Sequence, residues 1–383
     1  MTRILLNGYY GFQNTGDDAL LAAAVLGARW AYGAGITLTA RASTIPTFPG
    51  SRLVRAAYPT AQRWRGERRV RLWLEAFRSR AILFGGGSVF HSRDGLEKVE
   101  HLLRLAGRGP HLGAGVSIGP FRSAADEQAC ARVLRRLTFL GLRDVKSTEI
   151  AKALAPGVPS ELTFDLAPLL LVLDRDRRVP GEGRRGLGLA LCDHERFTNG
   201  DLRREAARRE RLGSVLRALD RDLVEEIVLI DFNGHPHKGD SRIHTEIRTM
   251  AEQAGIPTRL VPYDPRPLEV LRTIAGLRAM LAMRLHAAVF GYLVETPTVM
   301  LAYHPKCQGW AEQVGISDPL IHDSVDFDPV QLAAAVELAL RGRAPVATLP
   351  ISAALERARR NFPRLQTDPR ETEDRRAAGE QPL

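Results

Sequence analysis

Short apolar runs that alternate with helical patterns, twice over, constrain this chain more than any other feature. In the first half, "RILLNG", "GITLTAR", "RAILFGGG" and "PHLGAGVSIG" read as strands, and "DDALLAAAVLGARWAY" reads as a helix between the first two. Runs such as "AILF" lack polar alternation, as parallel strands covered by helices on both faces do. A further helix is expected from Val145 to Ala155, and "ELTFDLAPLLL" closes this half. The stretch "LDRDRRVPGEGRRG" is charged, rich in Gly and Pro and without apolar periodicity, so it reads as a linker.

The rhythm then restarts. Strands "LGLALC", "EEIVLIDF", "TRLVPYD", "RAMLAMR" and "PTVMLAYH" alternate with helices that include "GDLRREAARRERLGSVLRALDRD", "DSRIHTEIRTMAEQAG" and "LHAAVFGYLVE". At 383 residues the chain also exceeds the size at which one core stops growing. The expected architecture is therefore α/β with two Rossmann-like, doubly wound domains. Residues 1–173 form the first, 174–186 the linker and 187–345 the second. A helix follows over 346–366, free to pack on either domain, and the apolar-poor stretch 367–383 is expected to be disordered.

The charge balance is 54 basic against 44 acidic residues, a formal +10, which favours anionic partners. The basic residues scatter through helices and do not alternate with aromatics, so no nucleic-acid partner is expected. Cys130, Cys192 and Cys307 lie far apart without C-x-x-C spacing, which indicates neither a disulfide framework nor a zinc knuckle. With no signal-peptide core and no apolar run of membrane-spanning length, a cytoplasmic location is expected, with the inner membrane face as a second possibility.

Three segments carry the chemistry. "GYYGFQNTGDDALL" inserts a glycine-rich turn between strand and helix, with Asn14, Asp17 and Asp18 at the helix start. Asp17 and Asp18 would repel a phosphate there, and suit helix capping or contact with a sugar hydroxyl instead. "ILFGGGSVF" places Gly85, Gly86, Gly87 and Ser88 at the carboxyl end of a buried strand, where open α/β sheets bind ligands; close helix packing is the alternative use of such glycines. His91 follows closely enough to reach the same cleft.

In "AMLAMRLHAAVFG" Arg284 and His286 stand where an apolar strand passes into an apolar helix, and "YHPKC" adds Tyr303, His304 and Lys306 beyond the next strand. A forked permanent cation suits carboxylate or phosphate, and histidine suits proton transfer near neutral pH. An ion-paired Arg and a hydrogen-bonded His are the structural alternative. "FNGHPHKGDSRIH" holds His235, His237, Asp240 and His244, but at no zinc spacing, and reads as a flexible cleft loop. Arg143 with Asp144 in "GLRDVKS", and Asp165 in "TFDLAP", read as a helix cap or an internal ion pair.

In this order, "GYYGFQNTGDDALL", "ILFGGGSVF", "GLRDVKST", "TFDLAPLL" and "MRLHAAVFG…TPTVMLAYHPKCQGWAEQVG" resemble the polysaccharide pyruvyl transferase family over most of residues 1–315. The resemblance implies a glycosyltransferase-B-like pair of domains, with phosphoenolpyruvate as donor and a sugar hydroxyl pair of a cell-surface glycan, or its lipid-linked precursor, as acceptor. It implies His286 as general acid, Arg284 as carboxylate or phosphate clamp and Lys306 as a second cation. The Gly85–Ser88 stretch would face the donor, and Asn14, Asp17 and Asp18 the acceptor. No cofactor beyond the co-substrate phosphoenolpyruvate and no metal is implied, and a lipid-borne acceptor would suit peripheral membrane association. The family's usual turn has glycine where this chain has Gln13, and glutamate where it has Asp18. A nucleotide-sugar glycosyltransferase of the same architecture is the nearest rival, followed by a non-catalytic glycan-binding relative.

Overall fold

The computed structural model describes residues 2–174, 183–198 and 200–365. In chain order the first half runs β1 (Arg3–Asn7), α1 (Thr15–Tyr32), β2 (Thr37–Ala40), β3 (Val54–Ala56), α2 (Glu67–Arg78), β4 (Ala81–Phe90) and α3 (Arg93–Leu105). It continues with β5 (Leu112–Ile118), α4 (Ala124–Leu134), β6 (Phe139–Leu142), α5 (Val145–Leu154), β7 (Ser160–Leu162) and the short α6 (Leu170–Leu173). The second half holds β8 (Leu187–Ala190), α7 (His194–Thr198), α8 (Leu202–Ala218), β9 (Ile227–Ile230), α9 (Ser241–Gln253), β10 (Thr258–Val261) and α10 (Pro267–Ala275). There follow β11 (Ala279–Ala282), α11 (Leu285–Leu293), β12 (Thr298–Ala302), α12 (Pro305–Val314), β13 (Ile321–Asp323), α13 (Pro329–Leu340) and α14 (Ile351–Arg359).

These strands make two parallel sheets, ordered β3-β2-β1-β4-β5-β6-β7 and β10-β9-β8-β11-β12-β13. In each sheet the order reverses beside the first strand, between β1 and β4 and between β8 and β11. Those junctions leave a crevice beyond the carboxyl ends of the strands. Strands such as β1, β9 and β11 are buried along almost their whole length, which explains their unbroken apolar sequence.

One continuous apolar core joins the two halves through α1, α10 and α11, and separate cores lie under the outer helices of each sheet. The C-terminal α14 settles the choice left open by its sequence, returning to the first sheet. There the Asn361 side chain accepts from the Gly115 and Thr163 groups and donates to the Phe164 and Ala358 carbonyls. Most of the expected linker and the whole expected tail fall outside the described residues. Among the described residues no helix is long and apolar enough to cross a membrane.

One element departs from the sequence reading. The glycine cluster does not end its strand: β4 runs through Gly85, Gly86 and Gly87 to Phe90, because β5 accompanies it beyond the glycines. The loop after β9, expected as a cleft loop, reaches the cleft through Phe232 and is anchored by a buried carboxylate. Asp240 Oδ2 accepts from the Phe232 and Asn233 amides at 3.0 and 2.9 Å. In the loop, His235 Nδ1 accepts from the His237 and Lys238 amides, while His244, in α9, sits buried between Asp231 and the Leu191 amide.

Candidate active site

The turn after β1 reaches across to the second sheet. Thr15 N donates to Phe232 O, Gly234 N donates to Gln13 O, and Asn14 bridges to Asn233. Gln13 takes a positive φ of 55° at the position where the family's usual turn has glycine. Asn14 caps α1, its side chain accepting from the Gly16 and Asp17 amides. This corrects the capping expectation for Asp17 and Asp18: with Asn14 in that place, the two carboxyls are left for other contacts.

Gly16 has a specific reason to be glycine. A Cβ there would lie 2.2 Å from Nδ1 of His286, so the first turn of α1 packs directly on that imidazole. His286 itself lies in the first turn of α11, just after β11, and the apolar helix behind it holds the ring against the first domain. The domains therefore meet at the histidine.

His286 Nε2 points at Asp165 Oδ2 across 3.8 Å and has no hydrogen-bond partner among the described residues. Asp165 is buried and occupied on both oxygens, Oδ1 by the Ala167 amide and Oδ2 by Nη1 of Arg143 at 3.0 Å. Arg143 in turn donates from Nε to Ser117 Oγ at 2.6 Å and from Nη2 to Ser88 Oγ at 3.2 Å. The guanidinium is thus fixed by three partners with its edge on the cleft. The sequence reads Arg143 and Asp144 as a helix cap or an internal ion pair and Asp165 as a similar strand end; it neither pairs Arg143 with Asp165, as the structure does, nor assigns either to the site. Asp144 meanwhile caps α5 through Ser147 N, as a local reading predicts.

Tyr9, Asn14, Asp17, Gly87, Ser88, Arg143, Phe232, Arg284, Leu285, His286, Tyr303 and Lys306 enclose a cleft of ≈ 220 Å³ between the domains. Arg284 lines it while donating from Nε and Nη2 to Asp240, so the clamp residue is also the ion-paired residue. Lys306 enters from the start of α12, its Nζ 5.3 Å from the Tyr303 ring centre. Gly85 and Gly86 do not line the cleft. A Cβ on Gly85 would meet the Tyr10 hydroxyl at 2.4 Å, and one on Gly86 would meet Leu20 at 2.9 Å, so these two serve the packing of α1 on β4. Asp18 is also turned away, accepting from Tyr263 Oη at 2.6 Å. His91 is tied to the Ser88 carbonyl.

The electrostatics follow from burial among cations. His286 is lowered to about 4 by desolvation, with Arg143 and Lys306 adding to the effect and Asp165 opposing it, which favours the neutral imidazole near pH 7. Asp17 is raised to about 7 by burial and by Asp18, against the pull of Lys306, Arg284 and Arg143. Burial lowers Lys306, and nearby Arg143 and Arg284 add to that. Burial would also lower Arg284, but Asp240 outweighs it and holds the guanidinium above its ordinary value. A proton-poised carboxyl, a neutral histidine and three cations facing one cleft can bind a multiply charged anion and exchange a proton with it.

Asp18 gives a stability test. Burial raises it from 3.8 to about 7 even though the Tyr263 hydrogen bond favours its charged form. Between those values the folded chain binds more protons than the unfolded one, so stability falls as the pH rises through the window, by on the order of a few kcal/mol. Asp18→Asn keeps the acceptor for Tyr263 and removes the ionisation. Its melting temperature should exceed the parent's at pH 8 and approach it at pH 4; equal pH profiles would contradict the raised carboxyl.

The polysaccharide pyruvyl transferase family model matches residues 14–305, which include Asn14, Asp17, Ser88, Arg143, Asp165, Arg284 and His286. No curated protein matches the chain in sequence. Among solved structures, the chain is similar to UDP-GlcNAc 2-epimerase from Methanocaldococcus jannaschii. The TM-score is 0.54 at 12% identity, covering 93% of this chain and 97% of that one. It is also similar to MnaA of S. aureus in a co-structure with UDP, with TM-score 0.54 and 9% identity over 92% and 94% of the two chains. A third similarity is to sucrose-phosphate synthase from Thermosynechococcus elongatus, with TM-score 0.52 and 12% identity over 94% and 95%. At these identities the likeness shows the fold, a glycosyltransferase-B-like pair of Rossmann-type domains, and not the reaction.

Proposed function

The chain belongs to the polysaccharide pyruvyl transferase family, and from that premise we propose that it takes the pyruvyl group from phosphoenolpyruvate and forms a ketal on two hydroxyls of a saccharide, itself free or carried on a lipid. The observation that carries the reading is the convergence of Arg143, Arg284 and Lys306 on one cleft beside His286, whose Nε2 makes no hydrogen bond among the described residues. Phosphate and carboxylate need cations, and the enol carbon needs a proton. This cleft offers both.

In the proposed reaction, C3 of the donor gains a proton as the first hydroxyl adds to C2. Phosphate leaves with the C2–O electron pair, and the second hydroxyl closes the ketal. The two hydroxyl protons balance the one delivered to C3 and the one leaving with phosphate. His286 gives the C3 proton. A neutral imidazole is a poor acid, but the charge of the bound donor favours its protonated form, so the substrate itself arms the histidine. Asp17, which burial and Asp18 raise to about 7, receives a hydroxyl proton. The guanidinium forks of Arg143 and Arg284, with Lys306, hold the carboxylate and phosphate and stabilise charge as C2–O breaks. Ser88, which Arg143 already holds, and Gly87 face the same space.

A nucleotide-sugar glycosyltransferase would use an acid near the ends of the second sheet to hold ribose. Glu295 lines a separate cavity behind α11, and Glu312 is not among the cleft residues. Calorimetry separates the readings. Phosphoenolpyruvate should bind with uptake of a proton at pH 7, seen as an enthalpy that varies with the buffer, and His286→Asn should reduce that uptake. A UDP-sugar should give no heat. Heat from the UDP-sugar and silence from phosphoenolpyruvate would reverse the assignment.

A further inference from the structure

Helix α2 is amphipathic in the opposite sense to a packing helix. Its inward face buries Leu72 and Ala76 together with Glu75. Its outward face carries Val70, Trp73, Leu74 and Phe77, an i, i+3, i+4, i+7 apolar stripe, with Phe77 70% exposed. Trp64, just before the helix, is 51% exposed. Such a stripe has no use in a packed core, because the core lies on the other side.

Cations border the stripe on both sides: Arg69, Arg71 and Arg78 on the helix, Arg63 and Arg65 ahead of it, all exposed. The two acids of α2 are turned inward, Glu67 to Arg71 and the Arg63 amide, and Glu75 to Thr39 and Arg78. Arg69 lies over the Trp73 ring at 5.4 Å, and His101 of α3 packs on the ring's other neighbourhood at 4.9 Å. The patch is therefore apolar in the middle, aromatic and cationic at the rim.

We propose that this face of α2 docks the protein on an anionic lipid bilayer. Tryptophan and arginine flanking a leucine–phenylalanine stripe match the headgroup boundary, where indole rings settle and basic side chains meet lipid phosphate. A symmetric contact between two copies would instead set these arginines against one another. Topology adds a functional consequence. In a parallel sheet a crossover helix runs against the strands, so α2 has its Trp64 end at the carboxyl edge where the cleft opens. Docking would bring that edge to the membrane, as a lipid-carried saccharide requires, although the docking itself does not depend on the pyruvyl reading.

The test is co-sedimentation of the full chain with phosphatidylcholine vesicles and with vesicles containing about a third phosphatidylglycerol. The parent should sediment with the anionic vesicles, less as salt rises, and only weakly with the neutral ones. Leu74→Ser/Phe77→Ser and, separately, Arg69→Glu/Arg78→Glu should each weaken this about tenfold or more. Both should leave phosphoenolpyruvate binding at the parent's level, which also shows that they fold. Absence of parent binding, or binding unchanged in both variants, would overturn the proposal. A parent dimer dissolved by the Leu74/Phe77 variant, without vesicle binding, would make the face a contact between copies. Silence towards phosphoenolpyruvate alongside normal vesicle binding would count against the proposed reaction only.

Discussion

His286→Asn should lower turnover by about 10²- to 10⁴-fold, the range for loss of a positioned proton donor, while changing phosphoenolpyruvate affinity far less. Asparagine keeps a polar side chain of modest size against Gly16, so the packing between α1 and α11 is conserved. It cannot carry the proton that the donor's charge draws onto the imidazole. Rates of phosphate release with a saccharide acceptor, beside calorimetric donor affinities, read the two effects separately. Equal losses in both would make His286 a binding group and not the acid.

Arg143→Ala should weaken phosphoenolpyruvate binding by about 2–5 kcal/mol, the cost of truncating one member of a buried charged contact. It also leaves Asp165 beside His286 without its main partner. Because Arg143 helps to hold His286 down at about 4 and Asp165 pushes it up, the histidine should titrate at higher pH in the variant. An NMR titration of the imidazole in the empty site reads that directly. The change also costs stability, since a buried carboxylate loses its counter-ion. Arg143→Lys guards against a misfolded variant: it keeps charge near Asp165 but cannot reach Ser117, Asp165 and Ser88 together. It should fold well and still bind donor more weakly. Donor affinity at the parent's level in both variants would take Arg143 out of the donor site.

The two-sheet architecture was legible because buried parallel strands must be apolar along their length and their crossover helices must follow within the same βαβ unit. The Arg284-x-His286 pair was legible for a related reason: polar groups at the mouth of so apolar a strand and helix need an explanation, and a cleft supplies it. Arg143 and Asp165 were harder to place. Each lies in a short segment whose helix cap or ion pair accounts for it locally, and their joint approach to His286 spans more than a hundred residues of sequence. The glycines divided in the same way. Gly87 lines the cleft, while Gly85 and Gly86 make room for Tyr10 and Leu20, a distinction set by the direction of Cβ and invisible in "GGG". The outward stripe of α2 was unreadable for the converse reason, since a 3.6-residue apolar period states that one face is apolar but not which way it points.

By itself, then, the sequence determined the α/β class, the doubled strand and helix rhythm, and the family to which the chain belongs. These depend on local periodicity and on motifs contained in short segments. Only the tertiary structure decided which charges share a cleft, that Asn14 and not an aspartate caps α1, and that Gly16 is the seat of His286. Those facts are distances between segments brought together by two sheets meeting at their topological switch points, and the protonation of each group there is set by neighbours that the chain order does not place beside it.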